Sequence, residues 1–171
     1  MLASGRGMNL DLYAIGWVHL LLSLIALAAG AIVLVRPKGT PVHRLRGRIY
    51  VIAFVLTCVT AFGIYRYSVF WYPHWSGVAA LIVVAIGFWT ACFKLPRRGW
   101  MHLHLTCMVT SYYLLIAGTV NEAFVRVDAL RNSTPNLSPV IGMTHFAVMV
   151  VFALLIAYFN AALLLRPRPA Q

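Results

Sequence analysis

Five long, uninterrupted apolar runs constrain this chain more than any other feature of its sequence. Each is close to the roughly 20 residues that a helix needs to cross a hydrocarbon core of about 30 Å. None alternates polar and apolar residues as a membrane barrel strand does, and a helix satisfies every backbone amide within its own segment. The sequence therefore predicts an all-α integral membrane bundle of five transmembrane helices. A single domain over 1–171 would hold spans at about 12–35, 49–71, 74–93, 100–125 and 140–165.

The composition agrees with a lipid environment and excludes several other classes of protein. Hydrophobic residues make up 62% of the chain and charged residues 10%, and the mean hydropathy is +0.85. A water-soluble globule, a disordered chain and a secreted disulfide scaffold are therefore excluded. The formal net charge of +11 is high enough for a nucleic-acid binder. However, the basic residues separate apolar runs and form no exposed basic face, so we expect no nucleic-acid partner.

The distribution of charge predicts the orientation of the spans. Ten of the fourteen Lys and Arg residues fall in the connections 36–48 and 94–98 and in the C-terminal tail, and all three acidic residues fall on the opposite side. The positive-inside rule then places the N-terminus outside and the C-terminus in the cytoplasm, as in a multi-pass protein of the inner membrane. The basic connection 36–48 is expected to meet anionic lipid headgroups.

Six histidines in so apolar a chain are the main functional clue, because ionisable residues within spans are costly and tend to mark function. The rise of a helix sorts them into two layers on the order of 15–20 Å apart. The outer layer comprises His19, His74 and His145, and the inner layer comprises His43, His102 and His104.

Each layer could hold one b-type haem between imidazoles from two helices. The outer ligands would be His19 and His145, and the inner ligands His104 with His43 or His102. This arrangement predicts a haem- or quinol-linked electron-transfer protein. The same imidazoles could instead bind a transition metal, hydrogen-bond a quinone head group, or bind no cofactor. A metal chelate at His102 and His104 is the weakest of these, because positions i and i+2 point to different faces of a helix.

Each histidine also has an explanation that needs no cofactor. A ring that donates to a carbonyl of a neighbouring helix would account for His19 or for His145. His43 and His102 lie at the membrane interface, where headgroup contacts are common. His74 stands among Trp and Tyr residues that are typical of an interfacial aromatic belt.

The fourth span is the most polar of the five. Residues spaced by alternate steps of four and three place one polar stripe on it: His104, Met108, Ser111, Leu115, Gly118 and Glu122. We expect this stripe to face inward, because lipid would penalise the carboxylate and the hydroxyl. Met108 is either a packing residue or a soft ligand. Glu122 is expected to pair with Arg66, as a bridge that locks two helices or as part of a proton path.

Two short motifs resemble a known family. The stretch from Pro41 to Val51 has the pattern H-R-x-x-G-R-x-Y, and a second element has the pattern H-x-x-x-M-x-x-S-Y. The matching residues are His43, Arg44, Gly47, Arg48 and Tyr50 in the first, and His104, Met108, Ser111 and Tyr112 in the second. The chain is therefore similar to the small membrane proteins catalogued as domain of unknown function 2306. The resemblance extends to His19 in the first span, and it implies a compact multi-span inner-membrane protein with His19, His43 and His104 as positions of interest.

No spacing typical of a hydrolase, a transferase or a nucleotide-binding loop occurs, and whether the chain is an enzyme stays open. Two alternatives to a redox protein remain. The chain could be an accessory subunit of a larger respiratory or photosynthetic complex. It could also be a small proton or solute transporter that uses Glu122 and Arg66.

Overall fold

The computed structural model describes residues 6–64, 72–126 and 137–165, and these contain five helices and no strand. We number the helices in chain order. They are α1 (Arg6–Val35), α2 (Pro41–Ala61), α3 (Tyr72–Phe93), α4 (Trp100–Arg126) and α5 (Leu137–Leu164). The all-α prediction is confirmed.

Four of the described helices are long and apolar enough to cross a membrane. The qualifying segments are Ala14–Val35, Tyr72–Phe93, Trp100–Phe124 and Pro139–Leu164. They agree with four of the predicted spans to within two residues at every end. Their residues are largely exposed, with only 6–22% of the most apolar stretches buried. Apolar side chains exposed over the whole length of a helix indicate a bilayer environment.

The second predicted span, 49–71, differs from the structure at both ends. Helix α2 begins at Pro41 because Thr40 caps it: the Thr40 hydroxyl accepts a hydrogen bond from the backbone N–H of His43 at 3.0 Å. A proline in the first turn suits this start, since its missing N–H would have no helical partner there. The helix ends at Ala61, and residues 65–71 lie outside the described residues. Three arginines in its first two turns make α2 less apolar than the other four helices.

The connection between α1 and α2 is held at the end of α1. The Lys38 ammonium donates hydrogen bonds to the carbonyls of Leu34 and Arg36. Carbonyls at a helix C-terminus lack helical partners, and a cation there is favourable. The pKa of Lys38 lies below its usual value because the helix end partly removes the ammonium from water. Gly39 follows with φ of +82°, a conformation that favours glycine.

The chain divides into two compact units, which we treat separately: unit 1 is Met1–Ile82 and unit 2 is Val83–Gln171. In unit 1, α1 packs on α2. The residues buried there include Ala26, Tyr50, Phe54 and Thr57. In unit 2, α4 packs on α5, and the buried residues include Val84, Ser111, Tyr112 and Phe152. The division falls within α3, so the first half of α3 belongs to unit 1 and the second half to unit 2.

Candidate functional site: hydrogen-bonded intramembrane histidines

His19 of α1 bonds across to α2 within unit 1. Its Nδ1 lies 3.0 Å from the Thr57 carbonyl oxygen and 3.1 Å from the Thr60 hydroxyl. That hydroxyl donates to backbone carbonyls of its own helix, at 2.9 Å from the oxygens of Leu56 and Thr57. Both contacts of Nδ1 are therefore acceptors, so Nδ1 carries the proton. In the neutral ring the lone pair then resides on Nε2.

His104 of α4 bonds across to α3 within unit 2. Its Nδ1 lies 2.7 Å from the Gly87 carbonyl oxygen, which also accepts from the Thr90 hydroxyl at 2.9 Å. A carbonyl can only accept, so here too Nδ1 carries the proton and Nε2 the lone pair. His19 and His104 therefore have the same tautomer, imposed in each case by a backbone carbonyl of another helix.

The approach of α3 to α4 at this point depends on a glycine. A Cβ on Gly87 would lie 2.9 Å from Cys107 Cβ and 3.0 Å from Met108 Sδ. Any larger residue would push the two helices apart and would lengthen the hydrogen bond between His104 and the Gly87 carbonyl. Since Met108 Sδ already lies against Gly87, the thioether contributes to helix packing.

A second polar cluster joins α4 to α5, also within unit 2. His102 Nδ1 lies 2.7 Å from Asn160 Oδ1. The Asn160 amide nitrogen donates to the Thr106 hydroxyl at 3.2 Å and to the Ile156 carbonyl at 2.9 Å. Because its nitrogen donates, the amide presents its oxygen to the histidine, and Nδ1 of His102 is protonated. We call His102, Thr106 and Asn160 the Asn160 cluster.

His102 and His104 therefore use their Nδ1 protons on different helices, α5 and α3 respectively. Their predicted role as a metal chelate stays a prediction. Among the residues that the structure describes, no group of three or more His, Cys, Asp or Glu side chains could hold a metal ion.

His145 of α5 differs from the other bonded histidines. Its Nε2, not its Nδ1, lies 3.0 Å from Asn121 Oδ1. This ring therefore has the opposite tautomer, with the lone pair on Nδ1. If Nε2 of His145 were to coordinate an iron, the bond to Asn121 would have to be given up.

The two remaining histidines lie in unit 1. His43 is half-buried in the first turn of α2. His74 is 6% exposed, whereas its neighbours Tyr72 and Trp75 are 71% and 63% exposed. His74 therefore packs within unit 1 while the two aromatic residues beside it are exposed, and its place in an interfacial aromatic belt stays a prediction.

The polar stripe of α4 faces inward over only part of its length. Ser111 is fully buried and donates to the Met108 carbonyl at 2.8 Å, and the ring of Tyr112 packs against Phe152 with centroids 5.9 Å apart. Gly118 and Glu122, farther along, are exposed, contrary to the expectation. Because Arg66 lies outside the described residues, its pairing with Glu122 stays a prediction.

Sequence reasoning missed the residues that hold the histidines in place. Asn160 carried a signal, because an amide inside an apolar span is costly unless it has partners. The carbonyls of Thr57 and Gly87 carried none, since every residue has a carbonyl and only the packing selects one.

A comparison with protein families matches most of the chain. The family model described as "Predicted membrane protein (DUF2306)" matches residues 16–157, which include all six histidines. The chain belongs to the DUF2306 family. No curated protein and no solved structure is significantly similar to it. Membership of DUF2306 fixes the class, a membrane protein with several apolar helices, and leaves the chemistry to the residues themselves.

Proposed function

We propose that this DUF2306 protein is a multi-pass protein of the cytoplasmic membrane that binds haem b through intramembrane imidazoles and transfers electrons. The observation that carries the proposal is the shared geometry of His19 and His104. Each donates its Nδ1 proton to a backbone carbonyl of another helix, Thr57 or Gly87. Bound haem would supply one-electron chemistry.

This geometry is the one that metal-binding histidines use. A ligating imidazole nearly always donates its second nitrogen to a carbonyl, carboxylate or water, which fixes the ring orientation and raises the basicity of the ligating nitrogen. His19 and His104 meet that condition, and the Asn160 amide provides an equivalent acceptor for His102. All three rings carry their lone pair on Nε2. The same bonds would also satisfy three packing histidines, so a direct test for haem is needed.

The pairing of ligands stays as the sequence predicts it, His19 with His145 and His104 with His43 or His102. The tautomer of His145 makes it the least prepared member of this set, because its Nε2 is bonded to Asn121. A transition metal or a quinone head group is the alternative occupant of the same imidazoles.

The test is the absorption spectrum of the full chain, purified in detergent from cells supplied with a haem precursor. We expect a Soret band that His19→Ala and His104→Ala reduce or abolish, and that added imidazole partly restores. Matched controls are Ser23→Ala and Thr119→Val, whose hydroxyls donate to carbonyls of their own helices at 2.8 and 2.9 Å. A colourless and metal-free preparation, or a Soret band unchanged in both histidine variants, would overturn the proposal.

Two further parts of the proposal concern the surroundings of the protein. The orientation would place the N-terminus outside and the C-terminus in the cytoplasm, which reporter fusions at the two ends would test. Membership of a larger respiratory or photosynthetic complex is the runner-up, and co-purification at a fixed stoichiometry from native membranes would favour it.

A further inference from the structure

The first two turns of α2 form an open groove on the surface of unit 1. The groove is shallow and lies between side chains of α2 itself; it has a volume of about 270 Å³ and is lined by Pro41, Arg44, Leu45 and Arg48. Positions spaced by four residues lie one turn apart on the same face of a helix, so Arg44 and Arg48 form one row and Pro41 and Leu45 form the neighbouring row. Both arginines are exposed, and Leu45 is 59% exposed.

The charge of this groove has no counterpart in the surrounding sequence. Residues 36–48 contain five basic side chains, and residues 14–82 contain no aspartate or glutamate. The groove also lies at the N-terminus of α2, where the helix dipole adds positive potential. An anion that neutralises Arg44 and Arg48 therefore has to come from outside this part of the chain.

The position of the groove indicates which anion is available. The apolar span of α1 ends at Val35, and five residues separate it from Pro41, where α2 begins. The apolar part of α2 starts at Ile49, so the groove belongs to the basic turns that precede it. A groove at the end of a span lies at the depth of lipid headgroups. Exposed Leu45 and Pro41 suit the glycerol and upper acyl carbons of a lipid, which a free phosphate ion does not have.

We propose that this groove binds the phosphate of one anionic phospholipid, with Arg44 and Arg48 on either side of the phosphate and Leu45 and Pro41 against the glycerol region. Arginine suits this role because its planar guanidinium can donate two parallel hydrogen bonds to phosphate oxygens. The inference is independent of haem binding, and it specifies a discrete site in place of a diffuse attraction between the connection and the membrane.

The test measures lipid binding to the detergent-purified full chain by native mass spectrometry, with phosphatidylglycerol and phosphatidylcholine as probes. We expect preferential retention of one phosphatidylglycerol. The double variant Arg44→Gln/Arg48→Gln should weaken that binding about 10–30-fold, since each surface arginine contributes on the order of a few-fold to tenfold. The matched control is Arg97→Gln/Arg98→Gln, an exposed basic pair outside the groove, which should leave the binding unchanged.

Other outcomes would contradict the site. Equal retention of both lipids, or an equal loss in the two double variants, would show only diffuse attraction. Displacement of the lipid by an equimolar amount of inorganic phosphate would indicate a free anion as the occupant. If the glutamine variant does not fold, Arg44→Lys/Arg48→Lys keeps both charges and removes the planar donors. That variant should bind phosphatidylglycerol more weakly than the unaltered chain, and unchanged binding would overturn the bidentate contact.

Discussion

His19 in unit 1 and His104 in unit 2 both donate the Nδ1 proton to a backbone carbonyl of another helix, but the residues around that carbonyl differ. In unit 1, His19 contacts the Thr57 carbonyl and the Thr60 hydroxyl, so its proton has both a backbone and a hydroxyl acceptor. In unit 2, His104 reaches a carbonyl at a glycine where two helices nearly touch. The first contact includes one polar side chain, the Thr60 hydroxyl, and the second depends on the absence of a side chain at Gly87.

Because the surroundings differ, different substitutions disturb the two contacts. Each of these carbonyls already accepts from a threonine hydroxyl of its own helix at 2.9 Å, and the histidine is a further donor to the same oxygen. No substitution removes that carbonyl, but a side chain can block the approach to it. At Gly87 any Cβ does so, whereas in unit 1 the Thr60 hydroxyl is already part of the contact and the Thr57 hydroxyl bonds the Ala53 carbonyl of its own helix. The Asn160 cluster offers a third case, since its acceptor is itself a side chain.

The largest effect is expected from Gly87→Ala. The new Cβ would lie 2.9 Å from Cys107 Cβ, so α3 and α4 must separate and His104 must lose part of its bond. Overpacking of this kind costs about 1–3 kcal/mol in the free energy of unfolding. Unfolding in mixed micelles, followed by circular dichroism, measures it.

Gly118→Ala is the control for that substitution. Gly118 is on α4 and exposed, and a Cβ there meets nothing within 4 Å. Alanine should be neutral or slightly stabilising in a helix. If both substitutions lower the free energy of unfolding equally, then the close contact of α3 with α4 at Gly87 is not the cause of the loss.

The second effect concerns the amide acceptor. Asn160→Leu removes the acceptor of His102 and the donor to Thr106 together. Hydrogen bonds between membrane helices contribute about 0.6–1.7 kcal/mol, so we expect a loss of unfolding free energy in that range. A double-mutant cycle with His102→Ala separates the pair from the rest of the cluster, because the coupling energy vanishes if the two side chains do not interact.

The fold was largely predictable from the sequence because apolar run length reports directly on the bilayer. Spans one, three, four and five follow from it. The histidines stand out for the same reason, because they are ionisable residues within apolar runs. The predicted span 49–71 starts later than helix α2 because run length takes no account of capping. Thr40 followed by Pro41 is an N-terminal signal, and Pro41 lies eight residues before Ile49, the first residue of that apolar run.

The candidate site was predictable in its residues and not in its contacts. His19 and His104 stand out as costly polar groups, and Asn160 should have stood out on the same grounds. Which ring nitrogen carries the proton, by contrast, depends on the acceptor that helix packing places next to the ring. His102 and His145 show this, because both bond to an asparagine oxygen and yet use different nitrogens.

A smaller effect is expected on the unit 1 side of the comparison. Thr60→Val removes the hydroxyl acceptor 3.1 Å from His19 but leaves the Thr57 carbonyl in place. One acceptor remains, so the cost in unfolding free energy should be about 0.5 kcal/mol. A Soret band, if present, should persist in this variant. A loss as large as that of Gly87→Ala would show that the hydroxyl, and not the carbonyl, is the principal partner of His19.

The smallest effect is expected from Asn121→Ala. Asn121 is exposed, and among the described residues its side chain bonds the Nε2 of His145 alone, so water at the helix surface can replace it in part. The change in unfolding free energy should stay below about 0.5 kcal/mol. The informative measurement is haem content, because the variant frees Nε2 of His145 for coordination. If His145 is an outer ligand, Asn121→Ala should raise or preserve the Soret intensity, whereas a loss of intensity would mean that Asn121 positions the ring and that Nδ1 is the ligating nitrogen.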